Sequence, residues 1–131
     1  FELCSEYEIS PYRYDLVEEF VIRFYKECLG RGPDTPGLNG WVNGLKSGNV
    51  TGGELAEGFI MSPEFINIGT SDEDFLKILY NAFFNRPPDT IGFNGWLWAL
   101  GNGMSRSEVL EGFITSEEFF ELCSEYGINP Y

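Results

Sequence analysis

The sequence has no histidine and few basic residues, and both shortages limit what the protein can do. Its 131 residues include 8 Lys and Arg against 21 Asp and Glu, giving a formal net charge of −13. Because the basic residues are scattered singly, the chain lacks the clustered positive charge that binds nucleic acid or anionic membranes. The lack of histidine removes Ser-His and Cys-His catalytic pairs and every histidine-based zinc site.

Long apolar runs are missing as well. No stretch approaches the roughly 20 apolar residues of a membrane-spanning helix, so we expect no membrane insertion. The sequence starts at Phe1 without a Met or a leader pattern, which predicts an excised or processed piece of a larger secreted protein. Its content of 43% hydrophobic and 17% aromatic residues is enough for a folded core.

An internal repeat organises the chain. Residues 31–48 (RGPDTPGLNGWVNGLKSG) match residues 86–103 (RPPDTIGFNGWLWALGNG) at 10 of 18 positions. The match continues downstream, where ELAEGFIMSPEF aligns with EVLEGFITSEEF. Two homologous units of about 55 residues therefore follow one another.

A second, longer repeat joins the two ends. Residues 1–12 (FELCSEYEISPY), the N-terminal tail, match residues 120–131 (FELCSEYGINPY), the C-terminal tail, at 10 of 12 positions. This predicts a tandem array in which a double unit repeats and each tail packs against the next unit. We divide the chain into a tail and long connector over 1–14, a first unit over 15–68 and a second over 69–131.

Each unit is predicted to contain four helices, which makes the fold all-α. Apolar residues recur at helical spacing, and no segment alternates with period two. We place Trp41, Trp96, Phe59 and Phe113 in the core. Structural caps and turns are predicted at Arg31, Asp34, Arg86, Asp89, Thr51 and Ser105, where each arginine forms a charge pair with the aspartate that follows it.

The motif R-x-P-D-x-x-G-[LF]-x-x-W occurs in both units, preceded by F-[VL]-x-x-[LF]-Y and followed by E-[LV]-x-x-G-F-I-x-S-x-E-F. With these motifs the chain resembles the bacterial domain-of-unknown-function family 4214, over nearly its whole length. The resemblance implies a small helical module, often repeated, in large secreted or surface-attached bacterial proteins. It is also similar in pattern to the linker domains of phycobilisomes, and it implies no catalytic residues.

The three cysteines are predicted to follow the long connector. Cys4 and Cys123 occupy equivalent tail positions, and Cys28 lies in the first helix, whereas the short connection between the units has no equivalent. We predict a disulfide between Cys4 and Cys28. Cys123 then pairs with a residue beyond this chain or with another chain, and the alternative is three buried thiols.

Acidic residues offer little catalytic chemistry. Nothing supplies a nucleophile with a base, a phosphate-binding loop or a metal-ligand cluster, so we expect neither an enzyme nor a cofactor. Calcium at Asp34 and Asp89 is a weak alternative to their role as helix caps. Trp98 lies off the apolar stripe and, with Tyr126 and Tyr131, predicts a surface for packing or binding.

These features predict a structural module outside the cell or on its surface. Neighbouring copies of the repeat are the expected partners, and they would stack into a stalk, fibre or filament, of which a homopolymer is one form. The competing hypothesis is an adhesin-type module that recognises a glycan or a host protein, with or without calcium.

Overall fold

A computed structural model describes residues 15–131. Within that range the chain is all-helical, as predicted, and each unit contributes four helices. Those of the first unit are α1 (Leu16–Leu29), α2 (Thr35–Ser47), α3 (Gly52–Ile60) and α4 (Pro63–Ile68). Those of the second are α5 (Asp72–Phe84), α6 (Thr90–Gly101), α7 (Arg106–Ile114) and α8 (Glu117–Tyr126).

Local sequence signals set where these helices begin and end. Every helix starts after a Ser, Thr or Asp whose side chain accepts a hydrogen bond from the first turn. Gly30, Gly48, Gly69 and Gly127 end α1, α2, α4 and α8 in the left-handed conformation. Asn85 takes the same role after α5 at a φ of 54°.

One hydrophobic core runs through both units. Helices α1 and α5 pack against each other at its centre, and α3 contacts α7. Phe24 and Phe83 meet across the units with ring centroids 5.5 Å apart. Because the interior is continuous from one unit to the other, the units stabilise each other rather than folding as separate globules.

The contacts between the two units are reciprocal, a relation that we call two-fold. Phe65 of α4 packs against Phe75 of the second unit, with centroids 6.4 Å apart. Phe119 of α8 makes the equivalent contact with Phe20 of the first unit at 6.3 Å. In the repeat Phe65 corresponds to Phe119 and Phe20 to Phe75, so each unit packs its last helix on the other's first helix.

The C-terminal tail therefore differs from the expectation. The tandem array predicted that this tail packs against a following unit. In the structure the tail instead packs against the first unit of its own chain. Tyr126 packs edge-on against Phe20 at 5.9 Å, and Ile128 is buried. The two-fold relation explains the result, because it brings the end of α8 beside the start of α1.

Candidate functional site

The repeated arginines form the most polar feature of each unit. Arg31 makes two hydrogen bonds to Glu64, at 2.9 and 3.0 Å. Arg86 makes the same two bonds to Glu118, both at 2.8 Å. Each guanidinium also lies over a tyrosine ring, at 5.2 Å in the first unit and 5.3 Å in the second. The arginine thus joins the connection after the first helix of a unit to its last helix.

The predicted pairing of each arginine with its following aspartate is correct in one unit and wrong in the other. Arg86 approaches Asp89 at 3.4 Å, whereas the ion-pair partner of Arg31 is Glu64. Each aspartate instead caps a helix: Asp34 accepts from the Gly37 N–H at 3.0 Å. In the first unit Glu64 accepts two hydrogen bonds from the guanidinium, while the Asp34 carboxylate accepts from the start of α2.

Both aspartates, the residues named for the calcium alternative, act as helix caps. Asp34 and Asp89 cap different helices, each accepting from a backbone N–H of its own helix. The Gly92 N–H at 2.8 Å is the main cause that lowers the pKa of Asp89. Over residues 15–131, no group of three or more acidic or cysteine side chains is placed to hold a metal ion.

The motif glycines make room for aromatic side chains. A Cβ on Gly37 would lie 2.5 Å from the Tyr25 hydroxyl, and one on Gly92 would lie 2.5 Å from that of Tyr80. Burial raises the pKa of both tyrosines. Only glycine therefore lets the tyrosine hydroxyl reach the start of the second helix.

The motif tryptophans lie at the edge of the core rather than inside it. Trp41 and Trp96 are half-buried and rest on the third helix of their units, while Phe59 and Phe113 are buried. A Cβ on Gly58 would lie 2.9 Å from Trp41, and one on Gly112 would lie 2.6 Å from Trp96. Because glycine has no side chain, the edge of the indole contacts the third helix directly. The rest of the ring lies outside the core.

Together these side chains form a latch, by which we mean the motif arginine, its glutamate partner, the tyrosine beneath the guanidinium, the capping aspartate and the tryptophan. Both units contain it. The polar groups of the latch form hydrogen bonds with one another and with the backbone. The latch therefore holds the four helices of the unit together. The glutamate was missed from the sequence, although the shared S-x-E-F motif signalled it.

A second arrangement, the tail groove, lies where α3 begins. Thr51 caps this helix and Ser105 caps α7, each with a reciprocal glutamate bond. In the first unit two further N–H groups find partners in the C-terminal tail. Gly52 donates to the Asn129 carbonyl and Gly53 to the Pro130 carbonyl, both at 2.7 Å. Tail carbonyls thus satisfy donors that a helix start leaves free.

A side chain at either glycine of the tail groove would lie close to its neighbours. A Cβ on Gly52 would lie 3.1 Å from the Cys123 Sγ and from the Phe119 ring, and one on Gly53 would lie 3.0 Å from the Pro130 carbonyl oxygen. The second unit has Arg106 and Ser107 here. This difference between otherwise similar repeats was the overlooked sequence signal.

Arg106 forms hydrogen bonds at the short junction, residues 69–71. Its guanidinium donates to the Thr70 carbonyl at 2.8 Å, bonds Asp72 at 2.9 Å and stacks on Phe75 at 4.6 Å. A partly open cavity of about 310 Å³ remains beside it, lined by Ile60, Met61, Phe65 and Ile66 among others. The arginine therefore takes over part of the role that the tail has in the first unit.

Arg23 joins the tail to both units. Its Nε donates to the Ala82 carbonyl of α5 at 2.9 Å, and Nη1 donates to the Tyr126 hydroxyl at 3.0 Å. Its guanidinium also lies over the rings of Phe20 and Tyr126. Tyr126, predicted as a packing or binding residue, is thus a packing residue within the chain.

The cysteines in the described range are free and buried. Burial raises the pKa of Cys28 to about 12 and that of Cys123 to about 12. Cys4, the predicted partner of Cys28, lies outside the described residues. For Cys123, a bond to another chain requires the tail to leave its groove, because the side chain is fully buried.

Two predicted surface residues remain exposed. Trp98 is 69% exposed and Tyr131 is 65% exposed. Ile91 lies seven residues before Trp98 on α6 and is also exposed, so the pair shares one outer face of that helix.

None of the helices in residues 15–131 has the length and apolarity to cross a membrane.

Comparison with known proteins identifies the repeat. The sequence model described as "Domain of unknown function (DUF4214)" matches residues 9–69 and 56–123. No curated protein and no solved structure matches the chain. The two matches cover both units in tandem, and the chain belongs to the DUF4214 family.

Proposed function

We propose that this chain is a non-enzymatic structural module of a large bacterial protein that is secreted or attached to the cell surface. The observation that carries the proposal is the latch, which occurs in both units with the same two bonds between arginine and glutamate. The motif that defines the repeat is thus used to hold helices together. Such a module suits a stalk, fibre or filament, in which regular units set length and spacing.

The acidic surface supports an extracellular spacer. A net charge of −13 per chain accumulates along an array and keeps it soluble, while repulsion opposes lateral association unless salt or cations screen it. The predicted disulfide between Cys4 and Cys28 belongs to this proposal. Intact mass with and without reduction tests this disulfide, because the chain gains two hydrogen atoms, about two mass units, when the bond is reduced.

The proposal is tested by imaging and by ligand response. Electron microscopy of the purified parent protein is expected to show elongated particles with regular beads, each bead being one pair of units. Melting temperature is expected to stay the same with calcium, with chelator and with glycans. Compact particles that calcium or a glycan stabilises would contradict the proposal.

A binding role is the second candidate, and the exposed face of α6 favours it. Exposed tryptophan stacks well on sugar rings, and Trp98 and Ile91 lie on that face. Glycan-array binding that Trp98→Ala abolishes would favour an adhesin. Ile68→Ala is the matched control, because Ile68 is an exposed apolar residue of another helix.

A further inference from the structure

The tail groove holds a segment whose sequence occurs twice in the chain. The segment seated there ends in Ile128, Asn129, Pro130 and Tyr131, and its carbonyls bond Gly52 and Gly53. The N-terminal tail carries Ile9, Ser10, Pro11 and Tyr12 at the equivalent positions. Because the bonds use tail carbonyls, the change from Asn to Ser keeps them available.

The fold itself shows that the last helix of a unit can pack in either direction along the chain. Helix α4 packs on the unit that follows it, through Phe65 and Phe75. Helix α8 packs on the unit that precedes it, through Phe119 and Phe20. The two contacts use equivalent residues of the repeat, so the first helix of this kind of unit can receive a last helix from the unit before it or from the unit after it.

We propose that the tail groove is a tail-exchange site, which holds its own C-terminal tail or the equivalent tail of a neighbouring copy. With its own tail the pair of units is closed. With a neighbour's tail the pairs are joined head to tail, a contact that does not close and can propagate. The inference rests on the proposed function in requiring neighbouring copies of the module.

The numbers of grooves and tails agree with this exchange. Each pair of units has one long tail and one tail groove, since Arg106 and Ser107 replace the two glycines in the second unit. Arg106 holds the short junction there through Thr70 and Asp72. An array can therefore change from closed pairs to joined pairs while every tail groove, except one at the end of the array, stays occupied by a tail.

One residue biases the choice toward the closed form. Gly127 ends α8 at a φ of 74°, in the left-handed region. The N-terminal tail has Glu8 at this position. A side chain in this conformation is disfavoured, which lowers the occupancy of the groove by that tail about tenfold relative to the C-terminal tail.

A cysteine in the groove can report which tail is bound. A Cβ on Gly52 lies 3.1 Å from the Cys123 Sγ, a separation suited to a disulfide. The full chain would carry Gly52→Cys and Cys28→Ala, which leaves Cys4 and Cys123 as the competing partners. Oxidation followed by peptide mapping identifies the bonds, and a denaturing gel separates bonds within and between chains.

We expect a main bond from position 52 to Cys123 within one chain and a minor bond to Cys4. Adding Gly127→Glu gives both tails the same residue and is expected to raise the share of the Cys4 bond about tenfold. A bond to Cys4, or a bond to Cys123 between chains, supports exchange. Exclusive bonding to Cys123 within one chain, in both variants, overturns it.

A second measurement avoids the engineered cysteine in case Gly52→Cys lowers helix content. Wild-type chain is partly unfolded and refolded at micromolar and millimolar concentrations, then sized by light scattering under reducing conditions. Exchange predicts dimers and larger species at high concentration, which Ile128→Asp removes. A chain that stays monomeric throughout refutes exchange and leaves closed modules, which the proposed structural role still permits.

Discussion

At the scale of single residues, the repeat motif is explained by close contacts to glycine. In both units an aromatic side chain occupies the space where a Cβ would stand. The tyrosine hydroxyl meets Gly37 or Gly92, and the indole meets Gly58 or Gly112. Other motif glycines, including Gly95, have open space around them. Glycines at different positions of the repeat motif therefore differ in the free-energy cost of substitution.

Gly112→Ala is expected to destabilise the protein by about 1–3 kcal/mol, because its Cβ would lie 2.6 Å from Trp96. Gly95→Ala is the control and is expected to stabilise by about 0.5–1 kcal/mol, since it lies inside α6 with nothing within 4 Å. Urea unfolding measures both changes. Equal effects of the two substitutions would contradict the role given to Gly112.

Acid is expected to weaken the latch through Glu64. The Arg31 guanidinium lowers the pKa of this carboxyl below its ordinary 4.5 in the folded state. The unfolded chain then binds the proton more readily, so this contribution is present above pH 4.5 and is lost as pH falls through the folded pKa. The wild-type free energy of unfolding should therefore fall between about pH 5 and pH 3.

Glu64→Gln is expected to reduce the loss of unfolding free energy between about pH 5 and pH 3. The measurement is the unfolding free energy of the variant and of wild type at each pH. The matched control is Glu117→Gln, in the first turn of α8. The proposed role of Glu64 is wrong if both variants follow the same pH dependence.

At the scale of elements, the starts of α3 and α7 show how two similar helices acquire different partners. Both have a capping box, with Thr51 and Ser105 as the caps. The next two residues decide what each helix contacts. Gly52 and Gly53 admit the backbone of the C-terminal tail, whereas Arg106 extends to the short junction.

Thiol reactivity is expected to report whether α8 is docked. Burial raises the pKa of Cys123 to about 12, so little thiolate forms near neutral pH. In the full chain, Cys123 should react with a thiol reagent at least tenfold more slowly than after denaturation. Arg23→Ala removes the bond to Tyr126 and should speed the reaction, while Lys77→Ala, on the exposed side of α5, should not.

At the scale of the whole molecule, the tail closes two units into one body. Its removal should therefore weaken the entire structure. Deleting residues 128–131 loses the buried Ile128 side chain and the two bonds to α3, a loss of about 3 kcal/mol. Unfolding in urea should stay a single transition at lower midpoint, because the core is continuous across the units.

Tyr131→Ala is the control for that deletion, since the ring is 65% exposed and little should change. A truncated chain as stable as wild type would show that the tail contributes nothing to closure. Two separate transitions in the wild type would contradict a shared core.

Local sequence was enough to predict the helical class, the caps Asp34, Asp89, Thr51 and Ser105, and the two units. A capping residue acts on N–H groups within three residues, and an amphipathic stripe is a property of one helix. The partner of Arg31 was harder, because two acidic residues were within reach. Asp34 is adjacent in sequence, but α4 brings Glu64 to the guanidinium with both oxygens available.

The sequence by itself determined an all-α tandem repeat, because periodicity and duplication are readable without knowing any long-range contact. Only the tertiary structure decided where the C-terminal tail goes. Equivalent contacts join α4 to α5 and α8 to α1, so the sequence could not distinguish a following unit from a preceding one. The two-fold packing of α1 and α5 settles that choice, since it brings the Gly52–Gly53 groove to the tail.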